Sequence, residues 1–184
     1  TFYSYDDIIK LEKFMKDKPV AEQEIGKQML SETAAFAETS SCRRKFLLHY
    51  FGEEFNEDKC NEHCDNCRHP KQKFEAKEDL ELVIEAVLEV KEKHKIKDII
   101  NVVMGTLTAT SKSYKHNELD AWGKGAEDDN DDKYWNAILR QAIVNGYLTK
   151  DIENYGLLKV TDKGKAFLKK PHSIKFTRDH DFSN

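Results

Sequence analysis

The chain has 184 residues, a net charge of −4, 39% hydrophobic residues and 35% charged residues. This composition is typical of a globular protein with one domain or two small ones. No apolar run approaches the roughly 20 residues that cross a bilayer, and the N-terminal sequence lacks the basic start and apolar core of a signal peptide. The first residue is Thr1 rather than an initiator methionine, which we interpret as the mark of a partial or processed chain.

Charge is distributed unevenly along the chain. Residues 127–132 contain five carboxylates, whereas residues 150–178 contain eight lysines and arginines against three acidic residues. A locally basic segment can attract nucleic-acid phosphates even when the whole chain is negative. Charge alone leaves open the alternative that both segments are ordinary solvated surface.

Three helices are predicted between residues 4 and 51. Ser4 can cap the first, Pro19 suits the first turn of the second, and Gly52 can end the third. Apolar side chains recur at helical spacing in each helix: Ile8, Leu11 and Met15, then Ile25, Met29 and Phe36, then Phe46, Leu47 and Tyr50. We expect these helices to form a platform ahead of a polar loop at residues 53–67.

A second group of helices follows residues 68–77, which have no periodic pattern and are interpreted as a linker. Helices are predicted from about Glu78, over 96–104, over 115–122 and over 133–145. Their buried sides are expected to contain Leu80, Val83, Ile84, Val87, Val90, Trp135, Ile138, Leu139, Ala142 and Ile143.

Two strand-like segments, 147–152 and 157–161, flank turn residues at 153–156 and predict a β-hairpin. A short helix through residues 166–168 follows. Several helices, a hairpin and a helix form the element order of a winged helix-turn-helix. We therefore predict a mainly α fold with a small β-hairpin, in which a helical, cysteine-containing subdomain precedes a winged helix-turn-helix domain.

Four cysteines, Cys42, Cys60, Cys64 and Cys67, have the spacing of a metal site. Cys64 and Cys67 place two thiolates on one tight turn, Cys60 adds a third from the same loop, and Cys42 reaches in from a helix. Zinc prefers four such soft ligands in a tetrahedron, and full protein ligation makes the site structural because no position is left for a catalytic water. The loop has few apolar residues of its own, so bound zinc could order it.

The cysteines also permit other interpretations. His49 or His63 could replace one thiolate in the ligand set. Two disulfides would suit a secreted protein, but nothing in the sequence indicates secretion. A redox Cys-x-x-Cys would require a βαβ context, which the predicted elements do not provide, and the thiols could also be free and buried.

The cysteines lie in a longer phrase that resembles the zinc-binding subdomain of RecQ-family helicases. It runs Cys42-Arg43-Arg44-Lys45-Phe46-Leu47-Leu48-His49-Tyr50-Phe51-Gly52-Glu53 and continues with Cys60 and Cys64-Asp65-Asn66-Cys67. In that family the first cysteine precedes paired arginines and a helix ending in Tyr-Phe-Gly-Glu, and the last two cysteines flank Asp-Asn or a close variant. The chain departs from the pattern in having three residues between Cys60 and Cys64, where two are common.

The resemblance extends to about residue 176, because the family's winged-helix (RQC) domain also follows the zinc site after a short linker. It implies a helical platform and zinc-binding subdomain at 1–70, a linker at 71–77, an RQC domain at 78–176 and a tail at 177–184. The predicted hairpin then corresponds to the family's β-wing, whose tip meets the point where duplex strands part.

We expect DNA contacts from Ser111, Lys112, Ser113, Lys115, Lys150, Tyr155 and Lys159; of these, Tyr155 occupies the wing-tip position for which the resemblance implies contact with the terminal base pair. The first four residues offer hydroxyl, ammonium and backbone N–H groups at the start of a helix, and such groups reach phosphates without reading sequence. On the wing, the two lysines would hold phosphates and Tyr155 would stack on the terminal base pair. The less specific interpretation is that Ser111 caps a helix, the lysines are solvated and Tyr155 is an exposed turn residue. The larger aromatics Trp122, Trp135 and Phe167 are expected in the core.

The resemblance further implies a parent protein that is an ATP-dependent DNA helicase moving 3′ to 5′ in DNA repair, recombination and replication. ATP and Mg²⁺ would bind only in its motor lobes, because this chain contains no G-x-x-x-x-G-K-[ST] phosphate loop and should hydrolyse nothing alone. Partners would be duplex, forked and single-stranded DNA, and single-strand-binding protein or other repair proteins, but no membrane. The location would be the nucleoid-associated cytoplasm of a bacterium or the nucleus of a eukaryote.

Two other functions are compatible with the sequence. A zinc-containing winged-helix transcription regulator would read a defined DNA sequence and would usually dimerise. A protein-interaction module would show no affinity for DNA even at low salt. If the chain does bind DNA, the acidic segment at 127–132 should point away from the duplex, because it would repel the phosphates.

Overall fold

The computed structural model describes residues 3–126 and 130–182. They form two compact units: one contains the residues up to Gln72 together with the segment from Arg178 onward, and the other is Lys73–Thr177. Helices dominate, and the strands form two antiparallel two-stranded sheets, which confirms the predicted mainly α fold with a small hairpin. No helix in the described ranges is long and apolar enough to span a membrane.

The first unit is built from helices and a polar loop. Its helices are α1 (Tyr5–Lys13), α2 (Val20–Glu38), α3 (Arg43–Tyr50), a 3₁₀ helix (Glu57–Cys60) and the single turn α4 (Asp65–Arg68). The predicted terminal residues lie at the helix ends. Ser4 is the N-cap residue of α1, although its hydroxyl donates to the carboxylate of Asp7 instead of accepting a backbone N–H. Pro19 is the N-cap residue of α2, and Gly52 adopts a left-handed φ of 79° just after α3, a conformation that glycine enters without steric cost.

The first unit has only a small apolar core. Among its described residues, the buried hydrophobic side chains are Ile8, Ala34, Ala35, Cys42, Phe46 and Cys60. Larger apolar side chains of α1, α2 and their connection are exposed instead, with Phe14 at 79% and Val20 at 77%. Because hydrophobic stabilisation scales with the apolar area removed from water, we infer that the cysteine cluster contributes much of the order of this unit.

In its described part, 73–126 and 130–177, the second unit contains five α-helices and four strands. The helices are α5 (Lys77–Glu89), α6 (Ile96–Met104), α7 (Ala109–Ser113), α8 (Asp132–Val144) and α9 (Asp162–Lys169). The strands are β1 (Lys73–Glu75), β2 (Leu148–Asp151), β3 (Leu157–Val160) and β4 (Lys175–Thr177). The predicted hairpin is confirmed: β2 and β3 pair with Leu148 opposite Val160 and Asp151 opposite Leu157.

The core of the second unit follows the apolar pattern of the sequence. The buried residues of α5 and α8 include Leu80, Val83, Ile84, Val87, Trp135, Ile138, Leu139 and Ala142. Trp135 is 1% exposed and Phe167 is 2% exposed, and Trp122 packs against the same core. These three aromatic residues are therefore core residues, as predicted, and not platforms for a ligand.

One predicted helix is wrong. Residues 115–122 were expected to be helical, but the structure has only a 3₁₀ turn at His116–Glu118. Lys115 adopts a left-handed φ of 55°, which a continuous α-helix does not permit. Leu119 and Trp122 pack on the core from irregular backbone instead.

The segment interpreted as a linker contains a strand. Residues 73–75 form β1, which pairs with β4 so that Lys73 lies opposite Thr177 and Glu75 lies opposite Lys175. The pairing partners are about 100 residues apart in sequence, so no local pattern could indicate them.

The acidic segment at 127–132 lies partly outside the described residues, and so does the expectation about the direction in which it points. Within its described part, Asp131 caps α8, and its carboxylate accepts the backbone N–H of Tyr134 at 2.9 Å. Its negative charge at the helix N-terminus is favourable to the helix dipole.

Candidate metal centre and nucleic-acid interface

Four thiol groups converge in the first unit. The Sγ atoms of Cys42, Cys60, Cys64 and Cys67 all lie within 4.8 Å of one another, and all four cysteines are free of disulfides. A Zn–S bond of about 2.3 Å places the sulfur atoms of a tetrahedral site roughly 3.8 Å apart. Separations within this limit are compatible with one tetrahedral ion, and the four thiol donors suit zinc.

The four cysteines come from three segments of the chain. Cys42 immediately precedes α3, Cys60 ends the 3₁₀ helix, and Cys64 and Cys67 lie at the start and in the middle of the short helical turn α4. The two histidines considered as alternatives do not join this cluster among the described residues. The ring Nδ1 of His63 instead lies 2.7 Å from the carbonyl oxygen of Cys60.

Hydrogen bonds favour a thiolate at Cys64. Its sulfur accepts the backbone N–H of Cys67 at 3.3 Å. Burial would by itself raise the pKa of the Cys64 thiol, but hydrogen bonds from the backbone of Cys67 and Arg43 lower it to about 7. Burial raises the pKa of the thiols of Cys42 and Cys67, so those two require a nearby cation to ionise at neutral pH.

A charged pair braces the loop that carries the ligands. Arg43 donates from Nε and Nη2 to the two carboxylate oxygens of Asp65 at 2.6 and 2.9 Å, and from Nη1 to the carbonyl oxygen of Phe36 at 2.5 Å. The hydrogen bond from Arg43 lowers the pKa of Asp65. Arg43 directly follows Cys42, and Asp65 directly follows Cys64. Their bidentate contact therefore connects the start of α3 to the start of α4, beside these two cysteines. The sequence phrase contained both residues, but we assigned them no role.

The second feature of interest is the tip of the β2–β3 hairpin. Tyr155 lies there with 44% of its surface exposed and a left-handed φ of 58°, beside Gly156 at φ 83°. The carboxylate of Asp151 holds the turn, because it accepts the backbone N–H of Asn154 at 3.1 Å and its side-chain amide at 2.8 Å. The turn therefore presents the tyrosine ring to solvent.

The two hairpin lysines lie on opposite faces of the sheet. Lys150 is opposite Leu158, whereas Lys159 is opposite Thr149, and neighbouring positions of a strand face opposite sides. Lys159 also donates to Asp151 at 2.7 Å. The structure thus does not bring these two ammonium groups together but places one on each side of the hairpin.

Lys95 was missed by the sequence reasoning. It forms an isolated antiparallel bridge with Leu157. The N–H of Leu158 also donates to the carbonyl oxygen of the preceding residue, His94, at 3.0 Å. Residues 94 and 95 therefore pair with β3 beside the hairpin. The ammonium of Lys95 lies 6.0 Å from the centroid of the Tyr155 ring. Lysines occupy the alternate positions 91, 93, 95 and 97. This alternation is the sequence feature from which a basic segment that includes Lys95 could have been predicted.

The structure departs from the expectation for this region in two ways: Lys112 and Ser113 lie at the C-terminal end of α7 with Lys115 beyond it, and Ser111 is not exposed. Ser111 is 1% exposed, and it forms a reciprocal capping box with Thr108: its N–H donates to the Thr108 hydroxyl at 3.1 Å, and its hydroxyl accepts the Thr108 N–H at 2.6 Å. It is therefore a buried capping residue and not an exposed donor. Lys112, Ser113 and Lys115 are exposed.

Known protein families match both units. The family model "RecQ zinc-binding" matches residues 5–68, and the "RQC domain" model matches residues 70–184. The chain is 28% identical over 170 residues to the "ATP-dependent DNA helicase RecQ" of Pasteurella multocida and 30% identical over 170 residues to the protein of that name from Haemophilus influenzae; each match covers 91% of this chain.

A shorter match reaches a eukaryotic relative. The chain is 39% identical over 69 residues to the "ATP-dependent DNA helicase hus2/rqh1" of Schizosaccharomyces pombe, covering 36% of this chain and 5% of that protein. The chain spans 26% and 27% of the lengths of the two bacterial relatives. Since the RQC model alone covers more than half of the residues and the zinc-binding match precedes it, the chain belongs to the RecQ family and carries its zinc-binding and RQC regions.

Proposed function

We propose that this chain is the DNA-holding and strand-separating region of a RecQ-type DNA helicase that moves 3′ to 5′ and acts in DNA repair, recombination and replication. The observation that carries the proposal is the exposed Tyr155 at the tip of the hairpin within the matched RQC domain. The bacterial relatives carry the name of ATP-dependent DNA helicases, which supports this assignment. The protein would work on the nucleoid of a bacterium or in the nucleus of a eukaryote.

We assign one structural zinc ion to Cys42, Cys60, Cys64 and Cys67. The convergence of the four thiols within 4.8 Å and the small apolar core around them support this ligand set. When bound, zinc would stabilise the thiolates and cross-link the start of α3 to the 3₁₀ helix and α4. With four protein ligands the ion would have no position for a reacting water, so its role would be to order the unit that adjoins the DNA-binding domain in sequence.

The zinc assignment is tested by metal analysis of the purified chain. We expect one zinc per chain, and we expect Cys64→Ser to lose the metal and unfold the first unit, because apparent zinc-binding energies of structural sites reach about 10–16 kcal/mol. Ser41→Ala, beside a ligand but outside the thiol cluster, is the control and should retain the metal. Freshly purified wild type without stoichiometric metal would refute the site.

The residues proposed to contact DNA are Lys112, Ser113, Lys115, Lys150, Tyr155 and Lys159. The exposed Lys112 at the end of α7 and Lys115 just beyond it offer charge to phosphates. The hairpin offers a lysine on each face with an aromatic ring at the tip. Ser111 is left out of this set because its hydroxyl is used in the capping box. Such contacts are independent of sequence, since phosphate groups and stacked bases are common to all DNA.

Binding to forked, blunt and single-stranded DNA at two salt concentrations tests this function. We expect the forked substrate to bind best, random duplexes of different sequence to bind alike, and affinity to fall steeply as salt rises, because phosphate contacts release counterions. Strong preference for one duplex sequence would support a transcription regulator instead, and no binding at low salt would support a protein-interaction module.

Single-strand-binding protein and other repair proteins are the protein partners we propose. We assign ATP and Mg²⁺ to motor lobes of the longer helicase and expect no ATP hydrolysis by this stretch alone.

A further inference from the structure

The segment after β4 belongs to the zinc-binding unit. Residues from Arg178 onward are part of the first unit although they follow the second unit in sequence. The N–H of His180 donates to the carbonyl oxygen of Glu38 at 2.7 Å, and the ammonium of Lys71 donates to the carbonyl oxygen of Asp179 at 2.7 Å. The ring of Phe182 meets that of Tyr3 edge to face at 5.6 Å. These contacts hold residues 178–182, here named the C-terminal tail, against the first unit.

One tail residue reaches the loop that carries the cysteines. The ring Nε2 of His180 lies 2.8 Å from the side-chain oxygen of Asn66. Asn66 lies between Cys64 and Cys67 in the chain and is only 5% exposed. The contact therefore connects the end of the described chain to the tight turn that supplies two of the four thiols.

Asn66 in turn fixes the chain before the first cysteine. Its side-chain amide nitrogen donates to the carbonyl oxygens of Thr39 at 2.7 Å and Ser41 at 2.8 Å. Ser41 is the residue before Cys42. The buried side-chain amide of Asn66 thus joins the segment that precedes Cys42 to the turn that carries Cys64 and Cys67.

The hydrogen-bond pattern determines the role of the imidazole. Both hydrogens of the Asn66 amide point at carbonyl oxygens, so its remaining oxygen faces His180 as an acceptor. The Nε2 of His180 must therefore carry a hydrogen and donate it. Burial and the nearby charges of Lys71 and Arg43 lower the pKa of His180, and the neutral ring with its hydrogen on Nε2 satisfies the contact. The hydrogen bond completes the partners of a buried polar group, and leaving such a group unsatisfied is costly.

We propose that His180 is a positioning residue of the metal centre, which it stabilises by holding Asn66 in the orientation that keeps Cys42 and the Cys64–Cys67 turn together. This inference rests on the proposed zinc site. Outer partners of metal ligands commonly change metal affinity by about 10- to 100-fold when they are removed. His180 acts one step further out, through Asn66, so we expect an effect near the lower end of that range.

The test measures zinc release from the 184-residue chain, using a chromogenic chelator in excess. We expect His180→Ala to release zinc about tenfold faster than wild type, and His180→Gln to stay close to wild type because its amide can donate the same hydrogen bond. His172→Ala removes a histidine of the second unit, where it packs on Phe167 at 5.0 Å, and serves as the matched control with an unchanged rate. Cobalt substitution should give the same thiolate charge-transfer spectrum in wild type and His180→Ala, because the ligands themselves are unaltered.

A second variant pair identifies the path of the effect. In an Asn66→Ala background, His180→Ala should cause no further acceleration, because the group that it positions is gone. Equal release rates for wild type and His180→Ala, or equally fast release from the Ala and Gln variants, would overturn the inference while leaving the zinc site intact. Absence of zinc from the wild type would overturn the proposed metal centre and the inference with it. Should His180→Ala lose its metal during purification, His180→Gln decides: retained metal supports the hydrogen bond and lost metal contradicts it.

Discussion

Lys159 donates to the carboxylate of Asp151 across the hairpin at 2.7 Å, so a lysine proposed to bind phosphate is already paired with an acid. This hydrogen bond, followed by those from Asn154, lowers the pKa of Asp151 to about 2. Lys159 is exposed and Asp151 is partly exposed, and an ion pair accessible to solvent contributes little to stability. We therefore expect the pair to compete with DNA for Lys159 more than it supports the fold.

From this pair we predict that Asp151→Asn strengthens DNA binding by about two- to fivefold at low salt. The change removes a negative charge that would repel the DNA phosphates, and it releases Lys159 to contact them. Lys159→Ala should weaken binding to all sequences alike and reduce the slope of log affinity against log salt by about 1. Fluorescence anisotropy at several salt concentrations measures both. Weaker binding by Asp151→Asn would mean that the carboxylate matters chiefly for the turn, through its hydrogen bonds to Asn154.

Tyr155→Ala tests the hairpin tip. In the motor-containing helicase we expect this change to slow unwinding of a forked duplex by about tenfold, since base stacking is worth about 1–3 kcal/mol per base. DNA-stimulated ATP hydrolysis and the duplex affinity of the present chain should change little, because phosphate contacts dominate affinity. Tyr155→Phe, which keeps the ring, and Tyr114→Ala, which removes another exposed tyrosine, are the controls. Equal unwinding rates for wild type and Tyr155→Ala at saturating ATP would eliminate the proposed role.

Glu75 should make the second unit sensitive to acid. Its carboxylate accepts hydrogen bonds from the Ser173 hydroxyl at 2.5 Å, the Lys175 ammonium at 2.9 Å and the Ile174 N–H at 3.0 Å, and these lower its pKa to about 2. A lowered carboxyl pKa stabilises the fold above the ordinary value of about 4.3, and the contribution is lost as pH falls from there towards 2. Wild type should therefore melt at a higher temperature than Glu75→Gln at pH 6, and the difference should close by pH 2.

The fluorescence of Trp122 and Trp135 reports this melting, because both tryptophans of the chain lie in the second unit. The readout is thereby separated from acid-induced loss of the proposed zinc ion in the first unit. Glu85→Gln, on the exposed side of α5, is the control and should leave the pH profile unchanged. A constant difference between wild type and Glu75→Gln across this pH range would contradict the assignment.

Gly125→Ala should destabilise the second unit by about 2–3 kcal/mol, within the range of overpacking mutations. A Cβ atom at Gly125 would lie 2.3 Å from Val103 Cγ1 and 2.4 Å from Trp135 Cζ2. Trp135 is 1% exposed and donates its indole N–H to the carbonyl oxygen of Gly125 at 3.1 Å, so neither side can move easily. Urea denaturation followed by circular dichroism gives the free energy of unfolding.

Gly26→Ala is the matched comparison for this change. Its Cβ would meet only the side chain of Met15, at 2.2 Å from the sulfur, and that flexible thioether can rotate away. Alanine is also favoured over glycine in a helix interior by about 1 kcal/mol. We expect this variant to match or exceed wild type in stability. Equal losses in the two variants would show that close contact at Gly125 is not the cause.

The sequence predicted most accurately the features that arise from local patterns. Apolar residues recur at the spacing of an α-helix in α5 and in the segment 133–145, and both segments form helices with these residues on the buried face. The hairpin was recognisable because turn residues separate two strand-like segments. The cysteine spacing indicated a joint site, and the four thiols do converge.

The misses involve partners distant in sequence. The pairing of β1 with β4 and the contact of His180 with Asn66 connect residues more than 90 positions apart, and no local period records such contacts. Ser111 illustrates a different limit: the sequence placed a hydroxyl at the start of a helix, but only the structure shows that the hydroxyl faces inward and is used in capping. The opposite faces of Lys150 and Lys159 became visible only with the register of the hairpin.

The division of the first unit between both ends of the chain affects the order in which the protein can fold during synthesis. Lys73 and Thr177, where the chain enters and leaves the second unit, are opposite one another in the β1–β4 ladder. The second unit is thus an insertion whose ends lie about 5 Å apart, and it can close as soon as Thr177 has left the ribosome. The zinc-binding unit begins first but is completed last, because His180 must emerge before Asn66 obtains its final partner. Domains usually fold from the N-terminus onward as they are made, whereas this N-terminal unit can obtain its last contacts only after residues 178–182 have been made.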